Sequence, residues 1–490
     1  MEENKLLKFV ELMTNNISDS DLELVSLGAS LGLDLVSFEE LRASQEDQFA
    51  DKIRTRSLEL LKRHGDNVLN ENDVFYAGSI DFMVSDEPMG KKFFLLETNG
   101  GSNRGLSILS VKQQSIIYNG YFKAIEQAIQ QNKRGDNKVL CLVGVPIKDG
   151  LIHEKVIMLE YFRKRIREMN LSVGIYNVNN FTNEFDTDVS FLIADYKQLS
   201  NKLSFIDNWV VFNNKARISV LIGDGIARRL HDQNFSRLIE EDFRKINSII
   251  INPLFRITDD KSLTYLASHF AREALEKYNL KYLYFTKAHS EEELIDKLKY
   301  LLMKFKRPFI IKPNGGSGGA GVVPIGPEEE FNNLNQLIEK SKKEFFTKFM
   351  KNRDPYPYTI QEMAQFSLIN PPWKADRESK HTFDIRIYMS QDKDKHVIPI
   401  GGLARIARKT YHGTLDKEEF VVNLSGFDGE IEVFRGRGIS ETNAKILNLD
   451  EEDLVNIFSI GCVLFSNMAN NYQKIISFKD WGNLIGQDEH

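Results

Sequence analysis

The sequence predicts an α/β protein whose middle third forms an open α/β domain. Residues 139–145 are a continuous apolar run, which is typical of a parallel strand buried on both faces. An amphipathic stretch at 154–169 predicts a helix after it. Further apolar runs follow at residues 171–178, 189–194, 209–212 and 218–223. Because strands that alternate with helices build βαβ units, we expect these runs to form one open sheet.

Outside this region, apolar runs flank glycine-rich loops, which predicts hairpins. Apolar clusters at helical spacing predict helices over 4–65 and an amphipathic helix over 450–470. Acidic residues at the start of 258–263 predict a further helix start. Other strands are predicted at residues 74–84, 92–99, 249–252, 309–312, 358–364, 381–389 and 398–408.

Composition limits the class of protein. A chain of 490 residues is long enough for about three domains, and 42% hydrophobic with 27% charged residues is ordinary for a globular protein. A net charge of −6 gives no reason to expect a nucleic-acid partner. Cys141 and Cys462 lie among apolar neighbours, which favours buried thiols in a reducing compartment. Without an apolar leader or a membrane-length apolar run, we expect a cytoplasmic protein with no membrane partner.

The most informative stretch is the glycine loop after the strand at 309–312. The strand ends in Lys312 and Pro313, the loop follows at 314–321, and a second apolar run completes a hairpin. Glycines allow backbone N–H groups to approach phosphate oxygens closely, and Lys312 adds a positive charge beside them. The stretch therefore predicts an ATP site. A hairpin without a ligand is the competing interpretation.

Three familiar nucleotide motifs do not explain this loop. Gly316, Gly318 and Gly321 satisfy G-x-G-x-x-G, but a strand follows them where a dinucleotide fold needs a helix. The loop also fits the protein-kinase pattern, yet no H-R-D or D-F-G occurs downstream. No G-x-x-x-x-G-K-[ST] is present. Any ATP site is therefore of another kind.

Two strands in hairpin order carry hard oxygen donors. Asp81 lies on the first, and the second ends in Glu97-Thr-Asn99 before a glycine loop. Residues two apart on a strand project to one face, so Glu97 and Asn99 would point together. Such oxygens suit Mg²⁺ beside nucleotide phosphates. A turn capped by Asn99 is the alternative.

Charged residues also follow or line other predicted strands. Asp224, Arg228 and Arg229 follow the strand at 218–223, where ligands bind in open sheets, although a solvated helix N-terminus would explain each of them as well. Asp384 and Arg386 alternate on one face of the strand at 381–389, and Arg405 lies on the next strand.

The joint order of these segments resembles the ATP-grasp carboxylate–amine ligases. The segments that match are Asn252-Pro with Asp260-Lys261, Phe309-Ile-Ile-Lys-Pro with its loop, Ile360-Gln-Glu-Met, Asp384-Ile-Arg, Gly402-Leu-Ala-Arg and Val421-Val-Asn. In that family a strand bearing Asp and a strand ending in Glu-x-Asn come last, whereas here they come first. This order is similar to the circular permutation of eukaryotic-type glutathione synthetases. Permutation is tolerated when the original termini are close together.

The resemblance implies a fold and a set of domains. The fold would be a circularly permuted ATP-grasp fold with an inserted open α/β substrate-binding domain. Residues 1–135 would hold N-terminal helices and the metal-ligand strands, and 136–250 the substrate-binding domain. Residues 251–365 would form the nucleotide-binding lid region, and 366–490 the ATP-grasp core.

The resemblance also implies roles for single residues. ATP would be bound by Lys261, Lys312, the lid residues Gly315, Gly316, Ser317, Gly318 and Gly319, the adenine hinge residues Gln361 and Glu362, and Asp384 and Asn423. Mg²⁺ would be bound by Asp81, Glu97 and Asn99, and the transferring phosphoryl group by Arg405 and Arg386. The candidate substrate contacts are Asn103, Arg104, Asp224 and Arg228.

The implied activity is formation of an amide bond through an acylphosphate, with ATP and Mg²⁺, on an amino acid or small peptide-like acid. The lid loop lacks the glutamate that permuted glutathione synthetases use as a metal ligand, so glutathione is not the expected product, and Asp81 would take that place. A phosphotransferase and an ATP-binding regulatory protein without turnover are the alternatives. Whether the acid is free or tethered to a carrier protein, and whether the chain forms a homodimer, stays open.

Overall fold

The computed structural model describes residues 44–71, 73–100, 105–132, 138–145, 152–178, 181–182, 185–195, 199, 202–223, 245–316, 318–327, 333–349, 354–371, 379–422, 435–482 and 485. The strands in chain order are β1 (Gly78–Glu87), β2 (Gly90–Asn99), β3 (Val139–Val145), β4 (Val173–Asn177), β5 (Val189–Asp195), β6 (Leu203–Ile206), β7 (Trp209–Phe212), β8 (Ala216–Arg217), β9 (Val220–Ile222), β10 (Ile249–Ile250), β11 (Leu280–Lys281), β12 (Phe285–Ala288), β13 (Phe309–Pro313), β14 (Val323–Ile325), β15 (Tyr358–Glu362), β16 (Phe383–Gln391), β17 (Val397–Ile406) and β18 (Gly436–Gly438). The α-helices are α1 (Ser44–His64), α2 (Val111–Asn132), α3 (Ile152–Glu168), α4 (Phe255–Asp259), α5 (Lys261–Phe270), α6 (Arg272–Leu275), α7 (Glu291–Phe305), α8 (Leu334–Phe349), α9 (Glu441–Ile446), α10 (Glu451–Asn470) and α11 (Tyr472–Ile476). Together they form a mixed α/β protein, as predicted.

The large sheet joins strands that are far apart in sequence. Its order is β11-β2-β1-β16-β17-β18, so the early hairpin β1–β2 lies beside strands made some 300 residues later. The hairpin and the pairs β1–β16 and β16–β17 are antiparallel. Strands from the early and the late part of the chain thus share one sheet, while the circular permutation stays a prediction.

Helix α10 forms the centre of the core beneath this sheet. It begins at a capping box in which Asp450 and Asp453 each accept a hydrogen bond from the other's backbone N–H. An amphipathic helix was expected, but the structure buries α10 on nearly every side, because it packs between the large sheet and α1. Among the described residues, no helix has the length and apolar character needed to cross a membrane.

The middle of the chain forms a parallel sheet of order β10-β9-β3-β5-β4. Helix α3 lies near its expected place, and all five strands fall within 136–250. The run Trp209–Phe212, however, does not join this sheet. It pairs antiparallel with β6 and β8 in a separate three-stranded sheet. Two turns with positive φ, at residues 207–208 and 213–214, reverse the chain on either side of β7, and such paired residues are typical of tight hairpins.

The small sheet has the order β12-β15-β13-β14, with antiparallel pairs throughout. The pairing of β13 with β14 confirms the hairpin expected around the glycine loop. Helices α7 and α8 cover it through a shared apolar cluster. On its outer edge, Ile485 exchanges backbone hydrogen bonds of 2.8 and 2.9 Å with Phe285 of β12.

Candidate functional site

Strand register brings the predicted charged residues together on the large sheet. Asp81 of β1 lies opposite Glu97 of β2 on one side and opposite Arg386 of β16 on the other. Asp384 lies opposite Arg405 of β17. Directly opposed residues on antiparallel strands have their side chains within contact distance. Five of the predicted site residues are thus adjacent without any loop contributing.

Four of these residues form what we call the arginine–aspartate ladder, namely Asp81, Asp384, Arg386 and Arg405. Arg386 donates from Nε and Nη2 to the two carboxylate oxygens of Asp81, both at 2.7 Å. Arg405 donates from Nη2 to Asp81 at 2.8 Å and from Nε to Asp384 at 2.8 Å, with a second contact from Nη2 to Asp384. All four side chains are buried. The ladder is therefore a charge-matched network inside the sheet.

The ladder shifts the pKa values of its two carboxyl groups in opposite directions. Burial would raise the pKa of Asp81, but the charges of Arg386 and Arg405 outweigh it and hold that pKa well below its ordinary value. Burial raises the pKa of Asp384 to about 6, because Arg405 offsets the loss of hydration only in part and the Asp81 charge adds to it. Asp81 is thus the ionised centre of the ladder.

The second cluster, which we call the lysine edge, consists of Lys261, Glu97 and Lys312. Lys261 is the first residue of α5, whose N-cap Asp260 accepts from the backbone N–H of Ser262 at 2.9 Å. Its ammonium lies 3.0 Å from a carboxylate oxygen of Glu97. Asn99, two residues further along β2, donates from Nδ2 to Asp81 at 3.3 Å. The lysine edge therefore borders the ladder.

Lys312 reaches this edge from the small sheet. Its side chain is only 9% exposed, and its ammonium donates to the Tyr265 hydroxyl at 2.7 Å and to the Leu96 carbonyl at 3.2 Å. Burial lowers the pKa of Lys312 to about 7. The nearby positive charge of Lys261 lowers this pKa further, and the negative charge of Glu97 raises it in part. A buried lysine with so strongly lowered a pKa is a candidate functional residue.

The glycine loop lies next to a second segment, residues 417–422. Gly318, Gly319 and Gly321 have φ of +60°, +73° and +76°, a region that side chains other than glycine rarely adopt. A Cβ on Gly319 would lie 2.8 Å from Cγ1 of Val421. Gly315 also has a positive φ, and a Cβ on Gly316 would lie 3.2 Å from the Ala320 carbonyl oxygen. The loop is thus compact, and its tip contacts Val421 directly.

The predicted adenine hinge closes one end of the small sheet. Gln361 Oε1 accepts from the Tyr265 hydroxyl at 2.5 Å, and the Glu362 carboxylate accepts from Arg307 and from the Tyr284 backbone N–H at 3.2 Å. Beside the hinge lies an apolar cluster that draws on both sheets. Its buried members are Met83, Phe94, Ile310, Ala364 and Phe420. The two sheets therefore share a buried apolar cluster beside the hinge, and both hinge side chains already bind protein groups.

Sequence reasoning missed Tyr265, which lies one helical turn after Lys261 on α5. Its hydroxyl contacts Lys312, Gln361 and Leu96, so it touches both sheets. The spacing of four residues from Lys261 places the two on one face of the helix and was the available signal. Six predicted site residues, together with Arg229, lie outside the described residues. They are Asn103, Arg104, Ser317, Asn423, Asp224 and Arg228.

The oxygen donors Asp81, Glu97 and Asn99 differ in how well they suit the predicted Mg²⁺ site. No cluster of three or more His, Cys, Asp or Glu side chains with metal-binding geometry occurs among the described residues. Magnesium, however, is commonly held by one or two protein oxygens together with substrate phosphates. Glu97, 31% exposed, and Asn99, two residues away on the same strand, fit that pattern. Asp81 fits it less well, since both its oxygens accept from arginines.

Comparison with known proteins gives no family. No family model and no curated protein matches the chain. Among solved structures, it is similar to a glutathione synthetase-like effector from Globodera pallida in its apo form, with a TM-score of 0.37 and 11% identity over 78% of this chain and 85% of that one. It is also similar to the biotin carboxylase domain of the Hydrogenobacter thermophilus 2-oxoglutarate carboxylase, solved with MgADP, ADP and bicarbonate, with a TM-score of 0.25 and 12% identity over 66% and 69%. At these TM-scores, neither similarity assigns the chain to a family.

Proposed function

We propose that the protein is an ATP- and Mg²⁺-dependent carboxylate–amine ligase that forms an amide bond through an acylphosphate. The observation that carries the proposal is the lysine edge. Lys261 and Lys312 belong to separate elements, yet both ammonium groups lie beside the end of β2, where Glu97 and Asn99 stand. Two cations, a carboxylate and an amide at one edge suit a metal-bound polyphosphate better than any neutral ligand.

The same edge has an apolar neighbour of the right kind. The cluster of Met83, Phe94, Ile310, Ala364 and Phe420 lies between the two sheets, on the hinge side. We place the base of ATP against this cluster and its phosphates between the lysine edge and the glycine loop. Glycine N–H groups and helix N-termini both attract phosphate oxygens, and Lys261 is the first residue of such a helix.

The ladder supports the reaction by fixing two guanidinium groups. A guanidinium has five N–H donors, and the hydrogen bonds of Arg386 and Arg405 to the two aspartates use Nε and Nη2. We assign the remaining donors to the phosphoryl group during transfer. Asp81 and Asp384 then orient the arginines. Preorganised donors of this kind stabilise the transition state because they need not reorganise as charge develops.

Magnesium, when bound, would neutralise phosphate oxygens and draw electron density from the transferring group. Glu97 and Asn99 would hold it, and the earlier assignment of Asp81 as a ligand stays a prediction. Lys261 and Lys312 hold the phosphates against repulsion from the attacking carboxylate. The glycine loop against Val421 keeps water from the acylphosphate until the amine attacks. The acid is proposed to be an amino acid or a small peptide-like carboxylate.

The test is release of phosphate from ATP and Mg²⁺ across pairs of carboxylates and amines, with mass spectrometry of the products. Phosphate release together with a product equal to two substrates minus water supports ligation. A substrate that gains a phosphoryl group without free phosphate would replace the proposal with a phosphotransferase. Nucleotide binding without turnover on any free or carrier-tethered acid would favour a regulatory protein.

A further inference from the structure

Helix α5 binds both sheets at the proposed nucleotide site through side chains. Toward the large sheet, the Thr264 hydroxyl lies 2.7 Å from that of Thr98 on β2. Toward the small sheet, the Ser262 hydroxyl lies 2.6 Å from that of Thr359 on β15. Tyr265, on the next turn, contacts both sheets with a single oxygen.

The chemistry of that oxygen restricts its role. A phenol has one hydrogen to donate and lone pairs that accept. The Tyr265 hydroxyl is within reach of two acceptors, the Leu96 carbonyl and Gln361 Oε1 at 2.5 Å, so it donates to one of them at a time. Its lone pair accepts from the Lys312 ammonium at 2.7 Å. Burial, with the nearby Glu97 charge, raises the pKa of Tyr265 well above its ordinary value, so the hydroxyl keeps its proton.

These contacts leave Lys312 little freedom. Its ammonium has three N–H donors, and two of them point to Tyr265 and to the Leu96 carbonyl. Both partners belong to α5 and β2, although Lys312 itself is on β13 of the small sheet. The direction of the third donor is thereby set by groups on the far side of the site.

We propose that Tyr265 is a positioning residue that aims the Lys312 ammonium at the phosphates and holds it in register with Glu97 and Lys261. This rests on the proposed function, since it takes Lys312 to be a phosphate contact. Tyr265 need not touch the nucleotide. Its ring packs against Phe285, with centroids 5.6 Å apart, which fixes the hydroxyl from behind.

Tyr265→Phe removes the oxygen and keeps the ring. Calorimetric titration with MgADP is expected to show affinity weakened by roughly 10- to 100-fold, the value of a hydrogen bond to a charged group. Affinity for adenosine, which has no phosphates, is expected to change far less, because Tyr265 reaches the hinge only through Gln361. A merely structural role for Tyr265 would weaken both ligands together.

Two controls separate positioning from anchoring of the helix. Ser262→Ala removes the other bond from α5 to the small sheet without touching Lys312 and is expected to leave MgADP affinity within about twofold. Tyr278→Phe makes the same chemical change at a buried tyrosine in the core of the large sheet, and it should have no effect. If Ser262→Ala reproduces the loss seen in Tyr265→Phe, anchoring explains it and the proposal is wrong.

A double-mutant cycle completes the test. If Tyr265 acts through Lys312, then Tyr265→Phe adds nothing to the loss of MgADP affinity in Lys312→Met. If the double variant instead shows the product of the two single losses of MgADP affinity, the proposal is wrong. If Tyr265→Phe alone does not fold, the double variant can still be measured, because it replaces both hydrogen-bond partners by apolar groups and leaves neither unsatisfied. Its MgADP affinity is then compared with that of Lys312→Met. Failure of the wild-type protein to bind MgADP would overturn the proposed function along with this proposal, whereas multiplied losses overturn this proposal alone.

Discussion

The arginine–aspartate ladder and the lysine edge are neighbours on one sheet, yet they balance charge differently. The ladder places two guanidinium groups against two carboxyl groups within hydrogen-bond distance. The lysine edge places two ammonium groups against the single carboxylate of Glu97. A buried charge network that is matched within the protein is balanced without a ligand, whereas an excess buried cation can be balanced by an anion. We therefore propose that the lysine edge binds the phosphates, and that the ladder holds its two arginines in place for the phosphoryl group.

The ladder is where a substitution should cost most stability. Asp81→Ala leaves Arg386 and Arg405 buried without their shared partner and is expected to lower the free energy of unfolding by about 3–5 kcal/mol, measured by urea denaturation. Asp86→Ala, on the same strand, is the control, since Asp86 is 52% exposed beside Lys91 and should cost under about 1 kcal/mol. Equal losses in both variants would mean that the ladder does not stabilise the fold.

The lysine edge should show the opposite profile, with function lost and fold kept. Glu97→Gln is expected to lower turnover, measured as phosphate release, by at least roughly 100-fold, because the charged oxygen for the metal is gone. The free energy of unfolding should fall by about 1–3 kcal/mol, less than in Asp81→Ala, since Glu97 is 31% exposed although its partner Lys261 is buried. Glu87→Gln removes a comparable ion pair, with Lys281, away from the site and serves as the control. A fully active Glu97→Gln enzyme would refute the metal assignment.

The pH dependence of nucleotide binding tests the unmatched cation directly. With its pKa lowered to about 7, Lys312 loses its proton in the free protein as pH rises above that value. Phosphates favour the charged form, so MgATP affinity should fall by up to about tenfold per unit from pH 7.5 upward, with proton uptake on binding. Calorimetry in buffers of different ionisation enthalpy measures the MgATP affinity and the number of protons taken up on binding. Lys312→Arg, charged throughout this range, should flatten the profile, and an unchanged slope in that variant would exclude Lys312 as its source.

The smallest effect is expected at the glycine loop. Gly319→Ala strains a positive φ and pushes a methyl group against Val421, which should cost about 1–2 kcal/mol of stability and weaken MgADP binding severalfold. Gly90→Ala also strains a positive φ, but its Cβ would meet nothing within 4 Å. It should show a similar stability loss without any change in MgADP affinity. If the two variants bind MgADP with the same affinity, the glycine loop does not contact the nucleotide.

Much of the fold was accessible from sequence because it rests on local patterns. The apolar run of β3, the hairpin β13–β14 and the helix over 450–470 are each specified by neighbouring residues. The sheet to which Trp209–Phe212 belongs was predicted wrongly, because four apolar residues specify a strand and not its partner. Burial of α10 on nearly all sides also depends on what packs around it, which periodicity alone does not state.

The site divides in the same way. Candidate residues such as Glu97 and Lys312 could be named from strand ends and the glycine loop. Their pairing could not, since Asp81 and Arg386 meet across 305 residues of sequence. Tyr265 was missed because its role is defined by three partners on two other elements. The register between strands that are distant in sequence depends on the tertiary fold, so local patterns do not predict which site residues pair.

The position of β1 in the large sheet also orders events during synthesis. Strands β3, β4, β5, β9 and β10 find their partners within residues 139–250, so this sheet can complete itself early. The hairpin β1–β2 is made first but waits for β16, with one edge unpaired and Asp81 without its arginines. Ile485 reaches the edge of the small sheet later still. The proposed catalytic surface can therefore form only after β16 and β17 are made, although β1 and β2 are synthesised well before them.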